Sequence, residues 1–206
     1  MFHICPQTDP GKMIHQVNEF FFLTDPDQFI FTHFPDDPQW QLLPNAITFE
    51  HFESSVYIRE RFFQLEMEIV VEELKHSVLF TENGGVLVSF KLPEGRSKNF
   101  EFRYILFKSR QAVIDGENLE SSIPLDLYVF YEKRKDLVVF DARFPAVGTY
   151  KLDLFGRDRL VHETFDLICS YCIECAELRE EAKPFPDSPE IGWGPGTVME
   201  EVGVSC

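Results

Sequence analysis

The chain has 206 residues, of which 44% are hydrophobic, so it is long enough to form one good-sized domain with a packed core. Its formal net charge of −16 repels phosphate backbones, and no basic stripe runs among the aromatic residues, which excludes nucleic-acid binding. No apolar run approaches the roughly 20 residues of a membrane-spanning helix, and residues 1–12 lack the features of a signal peptide.

The cysteine pattern indicates a reducing compartment. The five Cys are odd in number and concentrated late in the chain, which is not typical of a disulfide framework. We therefore expect free thiols in a cytoplasmic protein.

Two short helices are predicted within the Pro- and Asp-rich first 60 residues. Asp25, with a proline after it and Gln28 three residues on, has the pattern of a capping box and predicts a helix over residues 26–33. Thr48 is the expected cap of a second helix over residues 49–54. We expect both helices to be docking elements.

The stretch 61–175 has the alternation of short β-strands separated by turns. Apolar residues recur at every second position, as in Phe100, Phe102 and Tyr104, which favours strands over helices. The predicted strands are residues 65–72, 77–80, 86–92, 100–107, 125–131, 137–142, 150–155 and 163–173. Asn83, Gly84 and Gly85 form a hairpin signal between two of them. The pattern predicts a mainly β protein, an antiparallel immunoglobulin-like sandwich.

Tyr150 is the best single marker of this fold. It follows Gly148 at the entry to a predicted strand, which resembles the tyrosine corner of immunoglobulin-like domains. We expect its ring to be buried. The disulfide of antibody domains has no counterpart, because no Cys lies on the expected earlier strand.

Three late cysteines have a spacing that invites a metal or cluster hypothesis. Cys169, Cys172 and Cys175 form a CxxCxxC pattern. However, residues 165–175 alternate as a strand, and cysteines three apart on a strand point to opposite faces. Buried structural thiols are therefore favoured over metal ligands. No metal-binding or cofactor-binding residue is assigned.

A catalytic Cys–His pair could be assembled only from distant parts of the sequence. Cys5 or Cys169 would be the nucleophile, and His15, His33 or His162 the base. Nothing in the local sequence supports such a pair, so no catalytic residue is assigned. His33 is better explained as a half-buried residue at a helix end.

Trp193 lies within the sequence GWGPG near the chain end. It could be an anchor for a partner, since a Trp held by Gly and Pro loses little entropy on binding. The favoured interpretation is that it folds back and closes one end of the sandwich, because leaving a large apolar side chain exposed to water is unfavourable.

Two motifs carry a resemblance to a known family. Residues 17–43, VNEFFFLTDPDQFIFTHFPDDPQWQLL, and residues 185–196, FPDSPEIGWGPG, resemble segments of the kyphoscoliosis peptidase and hillarin family of transglutaminase-like proteins. The first resembles the passage just after the catalytic core, and the second the linker after the immunoglobulin-like domain. The resemblance implies that residues 17–23 are a closing strand of the transglutaminase-like sheet, with an exposed apolar edge.

This resemblance divides the chain into three parts. Residues 1–60 would be the C-terminal remnant of a transglutaminase-like α+β core, and residues 61–176 the immunoglobulin-like sandwich. Residues 177–206 would be an acidic, Pro-rich linker and tail. The Cys-His-Asp segment of the family lies upstream of the matched passage, so we predict that this chain is not an enzyme.

Three functions remain open. The first is a non-catalytic protein-interaction module with a protein partner in a cytoskeletal setting, which the family implies. The second is a fragment of a transglutaminase-like peptidase whose catalytic half lies upstream. The third is a free sandwich that antagonises longer relatives through its exposed edge.

Overall fold

Strands dominate the computed structural model, which describes residues 19–108, 125–178 and 182–185. The strands are β1 Tyr57–Ile58, β2 Glu68–Ile69, β3 Val78–Phe80, β4 Gly85–Lys91, β5 Phe100–Lys108, β6 Val129–Arg134, β7 Leu137–Arg143, β8 Gly148–Asp158 and β9 Asp166–Cys175. The α-helices are α1 Pro26–Phe29, α2 Phe49–Ser54 and α3 Glu60–Gln64. Short 3-10 helices cover Glu19–Phe21, Pro38–Gln41, Glu72–Lys75, Ser97–Asn99 and Asp126–Tyr128.

The strands form two packed sheets. One has the order β1-β9-β8-β5, with β3 also paired to β9, and the other has the order β2-β4-β7-β6. These orders correspond to the C-F-G and A-B-E-D sheets of an immunoglobulin domain. The predicted immunoglobulin-like sandwich is thus confirmed. Among the described strands, one pair is parallel, β3 with β9, where Val78 lies opposite Cys172.

Aromatic side chains fill the space between the sheets. Phe102 meets Phe140 edge to face, with ring centroids 6.2 Å apart, and both rings are buried. Phe62 of α3 meets Phe90 of β4 in the same way at 5.5 Å. The high phenylalanine content of the sequence is therefore used in part for packing between elements that are far apart in the chain.

The tyrosine corner predicted at Tyr150 is confirmed. Its ring is fully buried and lies 4.5 Å from the ring of Phe144, measured between centroids. Its hydroxyl donates a hydrogen bond of 2.6 Å to the carbonyl of Ala146. The bond closes the turn before β8 and satisfies a polar group that the fold buries.

The strand predicted over residues 65–72 is wrong for most of its length. Residues 60–64 form α3, only Glu68–Ile69 is strand, and a 3-10 helix follows. Leu65 packs onto Gly156 of β8, where even a Cβ would come within 3.0 Å of Leu65 Cδ1. Burial against β8 therefore overrides the local alternation of apolar residues.

The turn predicted at residues 83–85 is confirmed, but the hairpin is not. Asn83 and Gly84 both have positive φ, 58° and 79°, and Glu82 and Gly85 exchange backbone hydrogen bonds, so the tight turn exists. The two strands that it joins do not pair with each other. β3 joins β9 in one sheet, whereas β4 joins β7 in the other.

The N-terminal helices agree with the sequence to different degrees. α2 is confirmed over residues 49–54, and Thr48 Oγ1 accepts a 3.1 Å bond from the His51 amide. α1 begins as predicted but ends at Phe29 instead of residue 33. The predicted capping box does not form, because the Asp25 side chain makes no capping bond.

The strand implied for residues 17–23 is not present in the part of it that the structure describes. Glu19–Phe21 is a 3-10 helix, and Thr24 Oγ1 donates to the Phe20 carbonyl to close the turn. A lone strand here would leave its backbone groups without a neighbouring strand, whereas a helical turn satisfies some of them locally. The assignment of residues 1–60 to a transglutaminase-like remnant stays a prediction.

Candidate protein-binding groove

An open groove of about 1740 Å³ lies where β3 and β4 separate to join different sheets. The floor and walls come from the β3–β4 segment, the end of α2, the 3-10 helix before β3, and two residues of β7. Residues 182–183 also line it. The lining residues used below are Glu50, Glu53, Val71, Glu73, Val78, Phe80, Thr81, Glu82, Leu87, Asp141, Arg143 and Lys183.

One edge of the groove is the free side of β3. The Cys172 amide donates to the Ser77 carbonyl at 2.8 Å, and the Thr81 amide donates to the Glu174 carbonyl at 3.1 Å. Alternate residues of a strand direct their backbone groups to opposite sides. The amides and carbonyls of Val78 and Phe80 therefore face away from β9, into the groove.

The opposite edge is the first half of β4. This strand pairs with β7 along its whole length, but β2 covers only its last two residues. The Phe144 amide donates to the Gly84 carbonyl at 3.0 Å, so Gly84 and every second residue after it direct their backbone groups toward β7. Leu87 lies between two of these residues and therefore directs its amide and carbonyl away from β7, toward the open side.

Apolar side chains stand exposed along both edges. Phe80 is 70% exposed and Leu87 is 63% exposed, and Val71 adds a third exposed apolar side chain to the wall. Thr81 Oγ1 is buried and has no hydrogen-bond partner among the described residues. A sheet edge with exposed large apolar residues is the kind of surface that natural proteins usually cover or interrupt with charge.

The electrostatic character of the groove is acidic. Five carboxylates line it, and the only cationic Lys or Arg side chains among its lining residues are Arg143 and Lys183. Arg143 is already engaged, since it lies 3.2 Å from Asp141 and its guanidinium stacks 4.6 Å from the Phe185 ring centroid. Four of the carboxylates form no ion pair with another described residue: Glu50, Glu53, Glu73 and Glu82.

The N-terminal segment also carries exposed large apolar side chains, which are called here the N-terminal apolar face. It consists of exposed large side chains: Phe22, Leu23, Trp40, Leu42 and Phe49. The same segment is held to the sandwich by ring contacts, with Phe20 and Phe31 packing on Phe63 at 6.1 and 5.8 Å between centroids. The exposure predicted around residues 20–23 is thus confirmed for Phe22 and Leu23.

The three late cysteines occupy the strand positions predicted for them. Cys169 and Cys175 are buried on one face of β9, and Cys172 is half-buried on the other. Burial raises the pKa of the Cys169 thiol well above its ordinary value, so the neutral thiol is favoured there. Within residues 19–108, 125–178 and 182–185, no group of three His, Cys, Asp or Glu side chains could hold a metal ion.

The histidines considered as bases are engaged in packing. His33 stacks on Phe29 with ring centroids 4.3 Å apart, and burial lowers its pKa, which favours the neutral imidazole. His162 accepts a 3.2 Å bond from the Asp158 amide, and burial lowers its pKa as well. Cys5, His15 and the predicted fold-back of Trp193 lie outside the described residues.

Residues after the predicted boundary at 176 contact the sandwich. Leu178 packs against the core beside Gly84, and the Phe185 amide donates to the Leu127 carbonyl at 2.7 Å. The Phe185 ring also lies 5.6 Å from the ring of Phe130 of β6. These contacts belong to the segment assigned to the linker, and the three-part division stays a prediction.

The groove was not predicted from the sequence. Its position depends on β3 and β4 joining different sheets, which the turn signal at residues 83–85 does not reveal. The detectable signal was the run of exposed apolar residues on both sides of that turn. No helix in the described ranges is long and apolar enough to span a membrane.

Comparison with known proteins identifies a family. The family model described as KY-like, immunoglobulin-like domain matches residues 49–186. The chain is 26% identical to the Lim and transglutaminase domain protein ltd-1 of Caenorhabditis elegans over 94% of its own length and 27% of that protein. It is 28% identical to hillarin of Drosophila melanogaster, covering 93% of this chain and 24% of hillarin.

A mammalian relative gives a similar result. The kyphoscoliosis peptidase of Mus musculus is 26% identical over 96% of this chain and 26% of its own length. The chain therefore spans about a quarter of the length of the curated relatives that it matches.

Proposed function

Because this chain belongs to the KY-like, immunoglobulin-like domain family, we propose that it is a non-catalytic module that binds another protein through the groove between β3 and β4. The observation that carries this proposal is the pair of open strand edges in one groove. Val78, Phe80 and Leu87 present backbone donors and acceptors there beside exposed apolar side chains.

Strand edges bind extended polypeptide because the backbone groups of both chains pair in the same ladder pattern. Main-chain hydrogen bonds supply affinity, and alternate side chains supply specificity. β3 is short and ends in the exposed Phe80, so an added strand would cover both its backbone groups and this ring. Covering an exposed Phe contributes about 2 kcal/mol to such a contact.

The chemistry of the described cysteines supports a non-catalytic role. A nucleophilic thiol needs exposure and a depressed pKa. Burial instead raises the pKa of Cys169 and, less strongly, that of Cys172. The Cys175 thiol is buried and lies 3.6 Å from the carbonyl of Glu177.

Site-specific photocrosslinking in cells that express the full-length protein tests the role of the groove. A benzoyl-phenylalanine at Leu87 should capture a discrete partner, because that side chain lies in the groove and is exposed. The matched control is Leu160, which is 72% exposed but does not line the groove. Crosslinks that are absent at Leu87, or identical from both positions, would contradict the proposal.

The setting is part of the proposal. The family resemblance of the two end motifs supports a cytoplasmic, cytoskeleton-associated location. The partner captured from Leu87 should then be a cytoskeletal or cytoskeleton-linked protein. Crosslinks only to secreted or nuclear proteins would contradict this setting while leaving the interaction role intact.

The alternative function is that the chain forms part of a transglutaminase-like peptidase whose catalytic half lies elsewhere. The N-terminal apolar face favours it, because Trp40 and Leu42 are exposed in a way that suits packing on another domain. The relatives named as a peptidase and as a transglutaminase domain protein support the same alternative.

Variants in the two surfaces distinguish the two functions. In full-length protein, replacing Trp40 and Leu42 by Ser should abolish thiol-dependent amine incorporation or peptide cleavage if the alternative holds. Phe80→Pro should leave that activity unchanged, because Phe80 lines the groove and is not part of the N-terminal apolar face. A full-length protein with no such activity would leave only the interaction module.

A further inference from the structure

We propose that the occupant of the groove is an extended segment in which basic and apolar side chains alternate, and that it adds as a strand to the free edge of β3. This inference rests on the proposed function, since it names the chemistry of the partner that the same groove binds. It follows from three properties of the groove: its backbone, its apolar side chains and its charge.

The backbone of β3 fixes the mode of binding. Val78 and Phe80 each offer one amide donor and one carbonyl acceptor on the free side, so four main-chain hydrogen bonds are available. A strand of about five residues is enough to use all four, because the ladder repeats every two residues. The occupant must be extended and must have free amides where it faces β3.

The side chains of the groove explain why basic and apolar side chains should alternate in the occupant. Phe80 and Leu87 offer apolar contact, whereas Glu50, Glu53 and Glu73 stand on the walls with no ion pair among the described residues. Successive side chains of an added strand point to opposite faces. One face of the occupant then covers apolar surface, and the other carries Lys or Arg toward the carboxylates.

A second copy of this chain is a poorer occupant than a basic segment. The chain carries a net charge of −16, so two copies repel each other. Within the groove, the free carboxylates outnumber the cations, and Arg143 is already engaged with Asp141. Like charges opposite each other in an added strand are destabilising.

A synthetic nine-residue peptide that alternates Lys and Val is the direct probe, labelled with fluorescein and titrated with this chain by fluorescence anisotropy. We expect saturable binding in the micromolar range that weakens as salt rises. The same peptide with N-methyl groups on alternate amides should bind at least tenfold more weakly, because it cannot complete the ladder. This comparison leaves the protein unchanged and so does not depend on a variant that folds.

Two protein variants locate the site. Phe80→Pro removes an amide that faces the groove and keeps the bonds of β3 to β9, so binding should fall at least tenfold. Glu50→Lys with Glu53→Lys should also weaken it about tenfold. The matched control is Glu94→Lys with Glu163→Lys, which makes the same change in net charge at exposed positions outside the groove and should leave binding unchanged.

Other results overturn the inference in distinguishable ways. Equal loss of binding in the control pair would mean that the peptide responds only to net charge. Equal binding of a peptide that alternates Ser and Val at the same site would show that basic side chains are not required, but it would leave the proposed function intact. Concentration-dependent dimers that Phe80→Pro abolishes would identify a second copy as occupant. If no extended peptide binds and crosslinking from Leu87 fails, both proposals fall together.

Discussion

Truncation of Tyr150 should reveal how much the tyrosine corner contributes to the free energy of unfolding. The ring is fully buried against Phe144, and the hydroxyl is bonded to the Ala146 carbonyl. Loss of a buried aromatic ring in Tyr150→Ala should cost about 3 kcal/mol. Loss of the hydrogen bond should cost about 1 kcal/mol more, which gives about 4 kcal/mol in total.

Tyr150→Phe separates the two contributions, because it keeps the ring and leaves the Ala146 carbonyl without its donor. We expect this variant to cost only about 1 kcal/mol. Urea denaturation followed by circular dichroism measures both variants, with equal slopes as the test of a comparable two-state transition. The control is Tyr57→Ala on β1, an exposed position where the change should stay within about 0.5 kcal/mol.

An equal loss of stability in Tyr150→Phe and Tyr150→Ala would contradict this prediction, since the ring would then contribute nothing to packing. The prediction also fails if both variants unfold at the same urea concentration as the original chain. In that case the residue would not hold the turn before β8, and the close contact with Phe144 would have no energetic consequence.

Three further predictions concern the turn, one histidine and the thiols. Gly84→Ala should destabilise the chain by about 1–2 kcal/mol in urea denaturation, because φ is +79° and the new Cβ would lie 2.8 Å from Leu178 Cδ2; an unchanged midpoint would contradict this. Burial lowers the pKa of His162 in the folded chain, so protonation of this side chain favours the unfolded chain. The free energy of unfolding should therefore be highest above pH 6.5, the ordinary pKa of histidine, and should decline as the pH falls below that value. His162→Gln should flatten that decline, and an identical pH profile would refute the assignment. A thiol reagent should modify Cys172 faster than the fully buried Cys169, as peptide mass spectrometry can measure; the reverse order would be inconsistent with the placement of β9.

The sequence predicted those features that depend on local chemistry. Helix α2 has a cap whose side chain bonds within the same turn, so residues 48–51 contain the whole signal. The turn at Asn83 and Gly84 is likewise set by two residues that tolerate positive φ. Tyr150 was recognisable because its hydrogen-bond acceptor lies only four residues upstream.

Features set by distant contacts could not be predicted in the same way. Whether β3 pairs with β4 or with β9 depends on contacts across about 90 residues of sequence, and the same alternation of apolar residues suits both. Leu65 begins an apolar pattern that suits a strand, yet it ends a helix because Gly156 leaves room for it on β8. The groove is a consequence of the first choice, so its position could not be predicted from the apolar residues on either side of the turn.

The parallel pairing of β3 with β9 affects how the sandwich would respond to mechanical tension. The chain enters the pair at Val78 and leaves it at Cys175, so a pull on the two ends slides the strands past each other. All hydrogen bonds of the pair then bear the load at once. β1 is antiparallel to β9, and the same pull opens its bonds one after another. We expect β1 to separate from β9 at low force, while the β3–β9 pair resists extension.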